Sequence, residues 1–489
     1  MKTSAFAATL ALVASAGPVF AGGMVLDTRG VRPTARGGAF VAGADDLGAF
    51  WFNPAGLAHL ADAEPLATEG DAGEGDKGPK DAFLFDMAWV SQSVSYTRVD
   101  SGYNAQPTVS NQAPGLAVPS IAYAHRMSSR LVIGGGLWAP YAGLTKFDTD
   151  GPARYSSIDL SESLLLVVAA GVGYRVNDSI RVGATVQNMS FLLSSSVMFA
   201  GCPGQTLCAP EDPEMDAQTK VTQNSYFVPS ASVGAQIDFT PRVTFGASFQ
   251  APYKVTGSGK VQTVLPSSGF YNGASVEGDR ADVSFTLPAV IRAGLEARPG
   301  HWRMEAAIDY EMWSEHKEMT IEPKDVRIVG APGVGTYELG PLSIPRQYKN
   351  SIAASFGVEG QLLADVPLRV LAGYSYETAA APTKYLSVLT VDGDKHAFAL
   401  GASYKLGRWK VDVMASYFKM ADRTVESCDT STEQTRADTC DANANAGQAP
   451  QLTPLRDNAQ PQDQLPVYVN WGKYTSSWIA AGLGLSAAW

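Results

Sequence analysis

From Ala88 to the C-terminus the chain repeats one theme: runs of roughly eight to fourteen residues in which apolar and small or polar side chains alternate, separated by turn residues or long polar stretches. A period of two marks strands with two unlike faces. In Trp302 to Trp313, one face carries Trp302, Met304, Ala306, Ile308, Tyr310 and Met312, and the other Arg303, Glu305, Asp309 and Glu311. No helix sorts those residues so cleanly. The same test succeeds at Leu131/Ile133/Gly135/Leu137, Val243/Phe245/Ala247/Phe249 and Trp409/Val411/Val413/Ala415/Tyr417.

The pattern predicts about fourteen strands, near 88–99, 117–127, 130–142, 163–176, 179–194, 227–239, 242–256, 282–297, 301–315, 350–363, 367–377, 395–406, 408–420 and 474–489. Tight connections such as Val176-Asn177-Asp178-Ser179, Thr240-Pro241-Arg242 and Leu406-Gly407-Arg408 make hairpins. They alternate with long polar connections at 143–162, 195–226, 257–281, 316–349, 378–394 and 421–473. Short turns at one end, long loops at the other and an even strand count describe a transmembrane antiparallel β-barrel of an outer membrane, hence an all-β protein of a Gram-negative bacterium. In the last strand Ile479, Ala481, Leu483, Leu485, Ala487 and the final Trp489 share one face, the form of assembly signal that the barrel-assembly machinery reads. A secreted β-sandwich would also alternate, because periodicity does not say whether the apolar face meets lipid or a core.

Composition narrows this picture. Hydrophobic residues make up 45% of the chain. Yet the longest apolar run, Leu164 to Gly173, is half the roughly 20 residues a membrane helix needs, so any crossing is made by strands. Lys2, the apolar run Ala5 to Ala16 and Val19-Phe20-Ala21 read as a signal peptide over residues 1–21. A net charge of −11 argues against nucleic acid as a partner. Two close cysteine pairs, Cys202 with Cys208 and Cys428 with Cys440, lie in polar stretches of an exported chain and suggest two loop disulfides. Neither pair has zinc-site spacing or a nearby histidine. The five histidines are scattered, and Gly482 to Ala487, the one dinucleotide-like string, has no helix after it, so neither metal, cofactor nor enzyme is expected.

Residues 22–62 do not alternate. Asp45 is placed to cap a short helix beginning at Asp46, and Asn53-Pro54 is a cap followed by proline at the first helical position. Short helical turns separated by glycines suggest a compact hatch that sits inside a barrel spanning residues 88–489. Between them, residues 63–87 read as a flexible acidic connector. Glu69, Asp71, Glu74 and Asp76 there lack a full calcium-loop pattern.

The segment Gly37-Gly38-Ala39 to Asp45-Asp46 and Asn53-Pro54-Ala55-Gly56-Leu57-Ala58 resembles the hatch of the FadL/TodX family of outer-membrane transporters for long-chain fatty acids and aromatic hydrocarbons. The resemblance continues in order through Trp138-Ala139-Pro140-Tyr141-Ala142-Gly143, Leu287-Pro288 to Gly294, Asp309 to Ser314, Leu371 to Tyr376 and Asp394 to Gly401. It implies a fourteen-stranded barrel, monomeric in outer-membrane lipid, that takes up small hydrophobic molecules. It also implies a hatch, formed here by Gly37, Gly38, Asp45, Asp46, Asn53, Pro54, Ala55 and Gly56, and a lateral opening at a kink in the third strand, at Trp138, Pro140, Tyr141 and Gly143. Independently of the family, proline removes a ladder donor and glycine loosens a strand, so this is a sensible place for a wall defect; a plain strand end reads equally well. Other functions open to the sequence are a general porin or adhesion barrel, and an outer-membrane lipid hydrolase built from distant residues.

Overall fold

The computed structural model describes residues 30–62, 79–142, 145–200, 211–331, 335–339, 341–363, 365–389, 391–429, 433–447, 450–451 and 467–489. The expected signal peptide, residues 63–78 of the expected connector with Glu69, Asp71, Glu74 and Asp76, and Gly143 lie outside these. So do Cys202 and Cys208, and with them the first of the two expected disulfides.

Fourteen antiparallel strands close into one barrel. They are β1 (Asp81–Arg98), β2 (Leu116–Arg126), β3 (Leu131–Ala142), β4 (Leu164–Arg175), β5 (Ile180–Ala200) and β6 (Asp216–Thr240). Next come β7 (Val243–Gln250 with Tyr253–Val264), β8 (Arg280–Leu287 with Val290–Ala297) and β9 (Trp302–Glu311, extended by Glu318–Lys324). The last are β10 (Ser351–Gln361), β11 (Leu368–Glu377), β12 (Lys395–Leu406), β13 (Trp409–Met420) and β14 (Gly472–Ala488). Neighbours in sequence pair throughout, and β14 returns to β1 in unbroken register from Ala82↔Ala488 to Arg98↔Gly472, so no edge remains. Closure of the sheet on itself rules out the sandwich.

Several boundaries differ from the sequence expectation. The barrel starts at Asp81 instead of residue 88. Ala82-Phe83-Leu84-Phe85 is continuously apolar because inward Leu84 joins a hydrophobic cluster, and this hides the alternation. The hairpin of β5 and β6 extends to Ala200 and from Asp216, well past the expected limits at 194 and 227. In its far part Ser194 to Ser196 are followed by the unbroken apolar run Val197 to Ala200, opposite the mostly polar Asp216 to Thr222, so the ladder persists where the alternation stops. The first part of β9 stops at Glu311, and a single turn over Trp313–Glu315 separates it from the extension Glu318–Lys324, where one strand over 301–315 was expected.

On several strands burial runs opposite to that of a water-soluble protein. In β9 the charged face turns inward, with Arg303 9%, Glu305 0% and Glu311 5% exposed, while Met304 and Ile308 are 39% and 56% exposed. Ile121, Ile133, Val186, Leu295, Phe398, Leu400, Val413, Ile479 and Leu483 repeat this outward apolar face on other strands. An apolar outside around a polar inside is stable only where the surroundings are hydrocarbon. Seen this way the short turns, at 127–130, 176–179, 241–242, 298–301, 362–367 and 407–408, mark the periplasmic end.

Candidate functional site: the barrel interior and its N-terminal segment

Residues 30–62 lie inside the barrel. Their helical pieces, Val31–Ala35, Ala49–Phe52, the 3-10 turn Pro54–Ala58 and His59–Asp62, are too short to persist alone. The wall holds them by close approach. Gly37 has φ 64°, a left-handed conformation that glycine adopts freely, and its amide lies so near Gly373 of β11 that a β-carbon there would sit 2.0 Å from the nitrogen. A β-carbon on Gly183 of β5 would come within 2.2 Å of the Pro54 carbonyl oxygen.

Asn53 does cap a helical turn, but its larger task is tertiary. Its Oδ1 accepts from Ala55 N at 3.2 Å, while Nδ2 donates to the carbonyls of Val41 (2.9 Å) and Ala235 on β6 (3.0 Å). Pro54 opens that turn, Ala55 is fully buried, and Gly56 packs under the Ala44 carbonyl. Asp45 is not a helix cap, because the helix it would cap begins at Ala49. Asp46 Oδ1 instead accepts from Gly48 N (2.8 Å), and Asp45 is drawn to two arginines, Arg32 (2.6 Å) and Arg303. Burial pushes the Asp45 carboxyl up, yet the guanidiniums of Arg303 and Arg32 hold it well below the usual carboxylate range.

Sequence reasoning missed the ionic layer between this segment and the wall. Arg32 donates to Glu359 of β10 (2.8 Å) and Asp46 (2.8 Å), and Arg36 donates to Glu296 of β8 (2.8 Å) and Glu305 of β9 (3.0 Å). Glu305 also accepts the backbone N–H groups of Val41 (2.7 Å), Ala42 (2.8 Å) and Gly43 (3.0 Å). Arg303 closes the cluster on Glu296 and Asp45. Buried charges persist only when paired and hydrogen-bonded, as these are. The available signal was the occurrence of Glu296, Glu305 and Glu359 inside spans whose alternate positions are apolar.

Along each strand the inner lining changes character with height. β5 presents Arg181, Thr185 and Gln187 near its short turn, then Met189, Phe191 and Leu193. β8, running the other way, presents Val283, Phe285 and Leu287, then Arg292 and Glu296. The outer half is therefore oily, lined also by Leu165, Val167, Val255 and Trp313, with Phe191 and Phe285 rings 5.1 Å apart. The inner half ends on the charged layer.

β3 runs through Pro140 to Ala142. Its register with β4 shifts between Trp138↔Val167 and Tyr141↔Leu165, a bulge at Ala139 and Pro140. Pairing with β2 stops at Ser120↔Trp138, so beyond that point no ladder joins the two strands among the described residues. The buried Trp138 ring packs on Phe50 of the N-terminal segment at 5.6 Å.

At the extracellular mouth the 378–394 connection folds inward, with Ala380, Leu386 and Val388 fully buried. Asn470 Nδ2 donates to the Lys384 carbonyl (2.8 Å) and Arg423 to Thr383 Oγ1 (2.7 Å), fastening it to the last long loop. That loop carries the Cys428–Cys440 disulfide, both cysteines buried. Of the two expected bridges this is the one within the described residues; the bridge expected between Cys202 and Cys208 falls beyond them. Trp489, at the other end of the barrel, is half exposed and its carbonyl accepts from Asp81 N (2.9 Å) at the closing seam.

Burial raises the carboxyl of Asp392 in this inward loop from 3.8 to about 7, against the pull of Lys395 and of the Ala381 N–H. The contribution of the protonated acid to loop stability is complete below its ordinary range and is lost as pH rises through about 7. Amide exchange at Ala381 and its neighbours is expected to quicken between pH 6 and 8, and Asp392→Asn should flatten that dependence; an unchanged pH profile in the variant would assign it elsewhere.

A family model described as outer membrane protein transport protein (OMPP1/FadL/TodX) matches residues 11–449. No protein of curated function matches the chain. Among solved structures, a FadL homologue of Pseudomonas aeruginosa superposes with a TM-score of 0.68 at 17% identity, covering 96% of this chain and 100% of that one. The toluene transporter TodX of P. putida follows at 0.58 and 16%, covering 94% and 98%. The toluene transporter TbuX of Ralstonia pickettii gives 0.57 at 16%, with the same coverage. At such identities these likenesses show a shared barrel. The family match over most of the length, on a closed barrel with an apolar exterior and an N-terminal segment lodged within it, shows that this outer-membrane protein belongs to the FadL/TodX transport family.

Proposed function

We propose that the chain is an uptake channel for small hydrophobic molecules, long-chain fatty acids or hydrocarbons, with residues 30–62 acting as its hatch. The observation that carries this reading is the change of lining within one lumen, from oily to charged. A hydrophobic solute gains on entering the outer half and would have to give up that gain to cross the ionic layer. Its favourable way out is sideways, into lipid, where the β2–β3 ladder stops beside Pro140. The contact between Phe50 and Trp138 supports a coupling of hatch and wall, because a shift of one ring disturbs the other. The relatives named for toluene transport favour the same class of cargo.

The test restores an unbroken third strand. Deleting Ala139 together with Pro140→Val removes the extra residue and supplies the missing ladder donor. Uptake of labelled toluene and oleate by cells carrying this barrel is expected to fall to the background of cells lacking it, with folding and single-channel silence unchanged. Unaltered uptake would remove the lateral route. A large steady ion current through the unaltered protein would favour the porin reading instead.

A further inference from the structure

On the outside of the barrel, across the wall from the hatch, β10 to β13 form an apolar groove of 660 Å³ that the transport path does not use. Phe356, Tyr374, Phe398 and Tyr417 stand side by side in register as its wall, each well exposed, and Ala372 and Ala415 leave room between them and Leu400. Its orientation is fixed by Gly373, whose inner side meets the hatch backbone at Gly37 and so turns Tyr374 toward lipid. The volume lies within the roughly 300–1,000 Å³ range of ligand pockets, and the surroundings are membrane.

Two residues toward the extracellular end the chemistry changes. His396 Nδ1 lies 2.8 Å from the Tyr374 hydroxyl, and on β13 the outward side chain above Tyr417 is Lys419. Lys419 and Lys473 of β14 share a single carboxylate, Asp422, at 3.5 and 3.1 Å, and all three are about half exposed. Two ammonium groups on one carboxylate leave one ammonium in excess at Asp422, and the further acid of this rim, Asp394, accepts from the Tyr376 hydroxyl at 3.2 Å. A hydrocarbon groove, an imidazole and an ammonium in register above it, and a second ammonium higher on β14 match an amphiphile whose acyl chain lies below its phosphate.

We propose that this face binds one phosphorylated glycolipid of the outer leaflet, its acyl chain in the groove at Ala372 and Ala415 and its phosphate accepting from Lys419 and Lys473. A smooth aromatic belt would hold bulk lipid without preference; a groove beneath a cationic rim selects a chain that carries an anion above it. The proposal needs the membrane position of the barrel and not the identity of its cargo.

The experiment is native mass spectrometry of the full-length protein in mild detergent, titrated with bis-phosphorylated lipid A, its dephosphorylated form, and a phosphatidylethanolamine. One bis-phosphorylated molecule should be retained, and Ala372→Trp or Ala415→Trp, which fill the groove from the lipid side, should weaken it by about tenfold or more. Lys419→Gln with Lys473→Gln, both on an exposed rim, should weaken the phosphorylated form to the level of the dephosphorylated one. Equal retention of all three lipids by the unaltered protein, or retention indifferent to both sets of variants, would overturn the site. Toluene uptake by these variants should be unchanged, so failure here is distinct from failure of the transport reading.

Discussion

Glu305→Ala is expected to release the hatch while the barrel stays folded. The carboxylate is fully buried, holds Arg36 and accepts three successive backbone N–H groups, from Val41, Ala42 and Gly43. Alanine leaves those donors without their acceptor, at about 1–3 kcal/mol for each buried group that water does not reach. Breaking a buried ion pair from one side costs about 3–5 kcal/mol, and even the lower figure multiplies the open population by about a hundredfold. The ladder that closes β14 on β1 is made by residues 82–98 and 472–488 and includes none of these groups, so heat-modifiable mobility on a gel should remain that of a folded barrel. Protease cleavage within 30–62 and flickering single-channel current should both appear. Glu305→Gln, which keeps one acceptor oxygen, should fall between. If the alanine variant is as silent and as protected as the parent, the ionic layer is not what seats the hatch.

Gly373→Val should reach the same state by steric means alone. A β-carbon at this position would stand 2.0 Å from the Gly37 nitrogen and 2.1 Å from the Arg36 carbonyl carbon. Both are backbone atoms, with no flexible side chain to give way, and Gly357 on the neighbouring strand is similarly committed, since a β-carbon there would stand 2.4 Å from the Arg36 oxygen. Overpacking of a tight interior costs about 1–3 kcal/mol when side chains can adjust, and more where they cannot. The wall at Gly373 is paired on both sides by Phe356 to Val358 and Leu400 to Phe398 and does not move, so the hatch must. Leakage with intact charges at Glu305 would show that close approach and ion pairing act on the same seat. A variant that keeps ligand-selective uptake and a silent pore would refute the tight fit.

Much of the barrel is legible in residues alone. Period-two alternation is local, since it follows from the pleat, and it announces strands such as Trp409 to Tyr417 without any knowledge of neighbours. Turn chemistry at Val176 to Ser179 is equally local, as is the Asn53-Pro54 cap. Where the signal fails, two effects have cancelled or been removed. Inward Leu84 makes the first strand apolar on both faces, and the far end of β5 and β6 keeps its ladder although its polar and apolar residues fall in runs and do not alternate. Asp45 reads as a helix cap but is not one, because the helix starts later, behind Gly48, and two arginines claim the carboxylate; Arg303, the more distant of them, lies beyond local sequence.

By itself, then, the amino-acid order determined that the chain would be strands joined by short and long connections in alternation, because each depends on residues a few places apart. It did not determine which face of each strand would turn inward, nor that the lumen would be oily above and ionic below. That was decided by assembly: Glu305 and Val41 are 264 residues apart in sequence and 2.7 Å apart in space. A buried carboxylate is tolerable only once the barrel has closed and the N-terminal segment has delivered its N–H groups and Arg36 to it.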